Sequence, residues 1–270
     1  MPKDDDKLAF SVVTGASSGI GRELARIAAE NGSDLLIVSD TAEIAEAAAE
    51  IGQSGVSVQY LIADLATQEG VKDLYRRIEE IGRPVDALFA NAGRGLGNAF
   101  LDQDYDEIRR VIDTNIGGTV QLLHLVVGDM RRQGFGRVLM TGSIAGLMPG
   151  AYQAVYNATK AFIDSFAYAL RHEVEKDGIS VTVLMPGPTD TDFFETADLM
   201  DTKVGQGKKD DPRMVAEAGY KAMMRGDGHE VSGFGNKLQA MMTRFLGNNQ
   251  LADLHEGMAK PGTGDAGHRH

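Results

Sequence analysis

The 270-residue chain is 43% hydrophobic and 24% charged, and 27 Lys plus Arg against 39 Asp plus Glu give a formal net charge of −12. That size fits one large α/β domain with a substantial core, and the acidic surface disfavours nucleic-acid and anionic-membrane partners, whose binding depends on neutralising phosphates. There is no Cys, and the six His form no helical His-x-x-x-His pair, so disulfides, thiolate chemistry and a metal site are not expected.

Short β-branched and apolar runs alternate with longer segments of helical spacing. Residues 8–14, 34–39, 56–62, 86–90, 137–141 and 180–185 predict buried parallel strands. Residues 19–31, 41–51, 68–82, 104–133 and 152–177 predict the helices between them. This order predicts a Rossmann-like, doubly wound parallel sheet of about seven strands with helices on both faces. One domain is expected over residues 1–260, with a polar lid-like stretch near 190–210. Asp211 then reads as an N-cap and Pro212 as the first position of a helix through Met224. Residues 229–233 predict a last strand, 237–246 a further helix, and 261–270 a mobile tail. The opening MPKDDDKLAF lacks a signal-like apolar segment and no stretch approaches a membrane span, so a cytoplasmic location is expected.

The first strand runs into Thr14-Gly15-Ala16-Ser17-Ser18-Gly19-Ile20-Gly21 and at once into a helix. Three glycines at a strand-to-helix turn allow tight reversal and close approach of a ligand, and the helix start offers open N–H groups to a pyrophosphate. A turn chosen only for packing would read similarly, but its place after the first strand favours a dinucleotide. Ser17 and Ser18 add hydroxyl donors.

The second strand ends at Ser39-Asp40-Thr41, where such a sheet meets the adenosine ribose. A carboxylate at Asp40 accepts hydrogen bonds from ribose hydroxyls and repels the extra phosphate of NADP. No basic residue lies between Arg26 and Lys72. NAD is therefore favoured over NADP, although Asp40 would also serve as an N-cap for the helix beginning near Thr41.

Ser143 lies just past the fifth strand, where sites form in such sheets. Tyr156 and Lys160 follow on a helix, at an i, i+4 spacing that puts both on one face. A free phenol titrates near pH ~10, and a neighbouring ammonium lowers that value, which turns Tyr156 into a usable acid/base. Ser143 is placed to hydrogen-bond the same substrate oxygen. Tyr152 has no Lys four residues on.

With the glycine turn ahead of it, this constellation resembles the short-chain dehydrogenase/reductase family over about the first 190 residues. The resemblance implies that Asp64, followed by Leu65, contacts the adenine, and that Asn91-Ala92-Gly93 floors the cofactor cleft. It further implies that Asn115 holds a water linking Lys160 to solvent, and that Pro186-Gly187 packs near the nicotinamide, with Thr189 or Thr191 bonding its carboxamide. Capping, for Asp64, and ordinary turns, for Asn91–Gly93 and Pro186–Thr191, remain open at these positions. The resemblance also implies a homo-oligomer, tetramer or dimer, formed through the long helices.

The function expected is hydride transfer between NAD(P) and a secondary alcohol or carbonyl compound, with Asn115, Ser143, Tyr156 and Lys160 as the catalytic group. A dinucleotide-binding sensor or scaffold without chemistry is the alternative, because a fold alone does not establish catalysis.

Overall fold

A computed structural model describes residues 8–264, apart from Arg244 and the side chain of Phe234. In chain order the core elements are β1 (Phe10–Thr14), α1 (Gly19–Glu30), β2 (Asp34–Ser39), α2 (Ile44–Ile51), β3 (Val58–Ile62), α3 (Gln68–Ile81), β4 (Ala87–Ala90), α4 (Tyr105–Ile112), α5 (Thr119–Gln133), β5 (Gly136–Thr141), α6 (Ala154–Val174) and β6 (Ile179–Met185). Beyond them lie α7 (Phe193–Thr196), α8 (Lys203–Gln206), α9 (Pro212–Arg225), β7 (His229–Val231), α10 (Phe234–Met242) and α11 (Asn248–Ala259).

Among the described residues the strands form one parallel sheet of seven, in the order β3-β2-β1-β4-β5-β6-β7. Every residue of β1 and β4 is buried, the signature of strands covered on both faces. Leu24, Ile44, Val215 and Met223, from α1, α2 and α9, pack one face. Leu74, Leu122, Val126 and Ile163, from α3, α5 and α6, pack the other. The strand order reverses between β1 and β4, which opens a crevice at the carboxyl ends of the strands.

The boundaries differ where local chemistry overrides periodicity. The single helix expected over 104–133 is interrupted by a π-helical turn at Asp113–Gly118. The second helix starts at Ile44 rather than near Thr41, so Asp40 does not cap it. Helix α10 ends at Met242, and α11 was not anticipated. In the last segment the Gly262 and Gly264 N–H groups donate to Asp201 at 3.0 and 2.9 Å, while residues 265–270 lie outside the described residues.

Candidate active site

A cavity of about 750 Å3 occupies the crevice and runs from the glycine turn to the lid and α11. At its first end β1 delivers the chain into the turn. Gly15 and Gly19 adopt positive φ of 65° and 54°. Gly21 is required by close approach: a Cβ there would stand 2.1 Å from the Gly15 carbonyl and 2.4 Å from Asn91 Nδ2. Ser18 is the N-cap of α1 but makes no side-chain capping bond, leaving the first helical N–H groups without a side-chain acceptor. Ser17 Oγ lies 2.9 Å from Ser39 Oγ. Gly15, Ser17, Ser18, Gly19 and Ile20 line the cavity, whereas Gly21 supports the turn from behind.

Asn91 joins three strand ends. Its N–H donates to Thr14 Oγ1 at 2.9 Å, its side-chain amide donates to the Thr14 carbonyl at 3.2 Å, and its Oδ1 accepts from Thr141 Oγ1 at 3.0 Å. Ala92 and Gly93 continue this floor, and Pro186, Gly187, Thr189 and Thr191 form the opposite wall. Thr189 Oγ1 is engaged by the Gly187 carbonyl at 3.0 Å.

Asp40 also lines the cavity, in company that its sequence surroundings do not reveal. Arg94, just after Gly93, reaches it at 3.3 Å, and Arg110 of α4 reaches it at 3.4 Å. Arg110 also lies 3.4 Å from Asp64, whose other oxygen accepts from the Ala66 N–H at 3.0 Å. Capping of α3 falls to Thr67 instead of Asp64. Leu65 is buried beside Asp64. Arg22, the other cation near the turn, is paired with Glu50.

Ser143, Tyr156 and Lys160 are all buried and line one stretch of the cavity. The loop after β5 is stapled to α6 by Asn157, whose amide donates to the carbonyls of Ala145 and Met148 at 2.9 and 3.2 Å. Lys160 Nζ donates to the Thr141 carbonyl at 2.8 Å and lies 5.9 Å from the centre of the Tyr156 ring. The ring of Phe193 packs 5.1 Å from that of Tyr156. Asn115 sits behind the cavity wall. Its Oδ1 accepts from the Arg94 N–H at 2.8 Å, and its amide donates to the Arg94 carbonyl and to Thr159 Oγ1, both at 2.9 Å. It ties the π-helical turn to the β4 loop and to α6.

The electrostatics correct one expectation. The lowered phenol predicted from the Tyr–Lys spacing is reversed here. Burial pushes Tyr156 up to about 12, with the neighbouring Asp164 charge adding to the rise and a Ser143 hydrogen bond opposing it. Burial also pushes Lys160 down to about 8, opposed by the attraction of Asp164. Asp164 itself is raised to about 7, again mainly by burial.

Asp164 is one residue that sequence reading missed. It lies one helical turn beyond Lys160 and is packed under the Ser143 loop, with Oδ1 3.4 Å from the Ser143 N–H. Gly142 makes that fit possible, since a Cβ there would stand 1.8 Å from Oδ1. Its position at Lys160 plus four was the available signal. Arg110, Gln153 and His255 also went unread. The last two line the cavity beyond Tyr156, and His255 comes from the unanticipated α11.

A sheet of this order, a glycine turn and a Ser–Tyr–Lys group define a dinucleotide-binding oxidoreductase. The model of the short chain dehydrogenase family matches residues 9–201, and the chain belongs to that family. It is 33% identical over 227 residues to an uncharacterized oxidoreductase of Staphylococcus saprophyticus, spanning 83% of this chain and 94% of that one. It is 35% identical over 185 residues to sulfoacetaldehyde reductase 2 of Chromohalobacter salexigens, 67% of this chain and 73% of the other. Its fold resembles that of a short-chain dehydrogenase from Sphingobium yanoikuyae in complex with NADPH. The TM-score is 0.79 at 27% identity, covering 88% of this chain and 94% of that chain. Among the described residues no helix is long and apolar enough to cross a membrane.

Proposed function

We propose that this oxidoreductase transfers hydride between NAD(P) and a secondary alcohol or its ketone, with Tyr156 as the proton donor and acceptor. The observation that carries the reading is the convergence of buried Ser143, Tyr156 and Lys160 on one stretch of the cavity that also contains the glycine turn. The residues fit a dinucleotide: the uncapped start of α1 suits a pyrophosphate, and glycine lets it approach closely. When bound, the nicotinamide supplies or accepts the hydride, and its oxidised form adds a positive charge.

The chain's own residues handle the proton. With burial holding it at about 12, the Tyr156 phenol stays protonated at neutral pH and is set to donate to a carbonyl oxygen as that oxygen gains charge. Ser143 is positioned beside it to orient the same oxygen. Lys160, fixed by the Thr141 carbonyl, contributes positive charge near the phenol during the reverse reaction. Asn115 holds the backbone of Arg94 and, through Thr159, the first turn of α6, and is the residue through which a water relay from Lys160 would pass. Asp64 and Leu65 are read as the adenine contacts, and Thr189 and Thr191 as neighbours of the carboxamide.

Asp40 favours NAD over NADP by repelling a 2′-phosphate. Arg94 and Arg110 temper that preference by neutralising the carboxylate. A homo-oligomer is part of the proposal, supported by the exposed aromatic side chains of Phe162 and Tyr168 on α6 and Tyr105 on α4. A cytoplasmic location accords with dependence on a diffusible dinucleotide. The decisive experiment follows NADH and NADPH oxidation across a panel of ketones and aldehydes, with Tyr156→Phe as control. Turnover by the Phe variant at the parent rate would end the assignment.

A further inference from the structure

The wall of the cavity beyond Tyr156 carries polar groups that the hydride chemistry leaves unused. His255 of α11 is buried and lines this wall. Its Nδ1 lies 2.8 Å from the carbonyl oxygen of Ala151. A carbonyl only accepts, so Nδ1 carries the proton. Burial lowers the imidazole pKa below its ordinary value and keeps the ring neutral. A neutral ring protonated at Nδ1 presents Nε2 as a lone-pair acceptor, and no group among the described residues donates to it.

Gln153 stands two residues after Ala151, at the start of α6. It is 5% exposed and lines the same cavity, and its side-chain amide has no hydrogen-bond partner among the described residues. Met148, Phe193, Val204 and Met258 make the wall around these groups apolar. The cations that line the cavity among the described residues are Arg22, Arg94 and Lys160, each held by Glu50, Asp40 or the Thr141 carbonyl. None is left for a substrate anion.

Both groups face the cavity, where water satisfies them; a ligand that displaces that water must replace its hydrogen bonds, so one that does is preferred over one that leaves them unpaired. A site built to hydrogen-bond a substrate hydroxyl rejects the analogue that lacks it more strongly than an apolar pocket discriminates by size. We propose that His255 and Gln153 form a recognition site for a hydroxyl group on an uncharged substrate, so that the enzyme acts on hydroxyketones and the corresponding diols in preference to plain alkyl ketones. This rests on the hydride-transfer reading for the reacting carbonyl. Recognition itself is a binding property and can be read without turnover.

The test pairs hydroxyacetone, 4-hydroxy-2-butanone and 5-hydroxy-2-pentanone with their methyl isosteres 2-butanone, 2-pentanone and 2-hexanone. For the full-length protein we expect kcat/KM to favour the hydroxylated member of at least one pair by about tenfold, the value of one well-made hydrogen bond. His255→Asn keeps an N–H for the Ala151 carbonyl but places nothing at the Nε2 position, so the ratio should collapse toward one. His255→Gln returns an amide oxygen to that region and should restore part of the ratio, which a merely structural His255 would not do. Gln153→Leu gives a smaller loss and stands in if the His255 variants fold poorly. The same pairs are measured by binding to the cofactor complex of Tyr156→Phe. A hydroxyl preference kept there without turnover in the parent breaks only the hydride reading. Methyl isosteres favoured throughout, or a ratio untouched by His255→Asn and Gln153→Leu, overturns the recognition site.

Discussion

At the dinucleotide end of the cavity the wall is made of strand termini, glycines and main-chain groups, held in register by Asn91 across β1, β4 and β5. At the far end it is made of side chains from the lid, the start of α6 and the C-terminal α11. The first end depends on backbone conformation and leaves no room for a side chain at Gly21. The second depends on which side chains distant elements bring together, and it is open to change by substitution. Tyr156 stands where the two meet, so its replacement is the sharpest probe of both. Tyr156→Phe should lower kcat by 10²–10⁴, the usual contribution of a positioned proton donor, while NAD(P)H still binds with near-parent affinity by fluorescence titration. A loss of cofactor affinity instead would mean that the phenol acts in building the first end.

Gly21→Ala tests how rigid that end is. The added methyl would meet the Gly15 carbonyl at 2.1 Å, backbone against backbone, and cannot be absorbed by a rotamer change. Overpacking of this kind costs about 1–3 kcal/mol, and because the turn itself must shift we expect a lowered Tm together with at least about tenfold weaker cofactor binding. Phe193→Leu at the far end should leave cofactor binding within about twofold by the same arithmetic, since Phe193 meets Tyr156 through ring packing alone. Equal effects of the two substitutions on cofactor affinity would erase the contrast.

The same contrast explains what could be read from the sequence. Strands β1, β2, β4, β5 and β6 were legible because parallel strands buried on both faces are continuous apolar runs, whereas β3, expected to be buried, is the half-exposed edge strand and was legible only from its apolar, β-prone residues. The glycine turn, Ser143, Tyr156 and Lys160 were legible because local spacing fixes their relative positions. The π-helical turn left only a hint in Gly117-Gly118, since a helix pattern looks unbroken when one extra residue is accommodated. Helix α11 was missed because its buried stripe is Leu251, His255 and Ala259, an i, i+4, i+8 pattern too narrow and too polar to stand out. Arg94 and Arg110 converge on Asp40 from 54 and 70 residues away, a proximity that only the fold supplies.

That convergence gives the next test. Asp40→Ser removes the carboxylate that opposes a 2′-phosphate, releases Arg94 and leaves Arg110 held by Asp64 alone, so that both guanidinium groups can turn toward a phosphate. We expect the NADPH-to-NADH ratio of kcat/KM to rise about tenfold, and less at high salt because these charges are partly exposed. Adding Arg110→Ala should return most of that gain. A parent enzyme that already favours NADPH would refute the role given to Asp40.

The smallest effect concerns Asp164, one turn below Lys160. Its negative charge raises the Tyr156 pKa, so removing it lowers that value. Alcohol oxidation requires the phenol deprotonated, and its rate falls on the acid side of the Tyr156 titration. Asp164→Asn should therefore move that acid limb to lower pH, by roughly half a unit, as measured by kcat/KM against pH. Stability should respond in the matching sense. The folded-state pKa of Asp164 lies at about 7, above the ordinary 3.8, so the parent favours the folded state most at low pH and loses that contribution as pH rises through 7. The Asn variant lacks this titration, and its Tm should decline less than the parent's between pH 5 and pH 8 (values set by the experiment, about one to two units either side of the titration). An acid limb that moves upward, or does not move while the Tm profile flattens, would confine Asp164 to packing beneath the Ser143 loop and remove it from the electrostatics of the phenol.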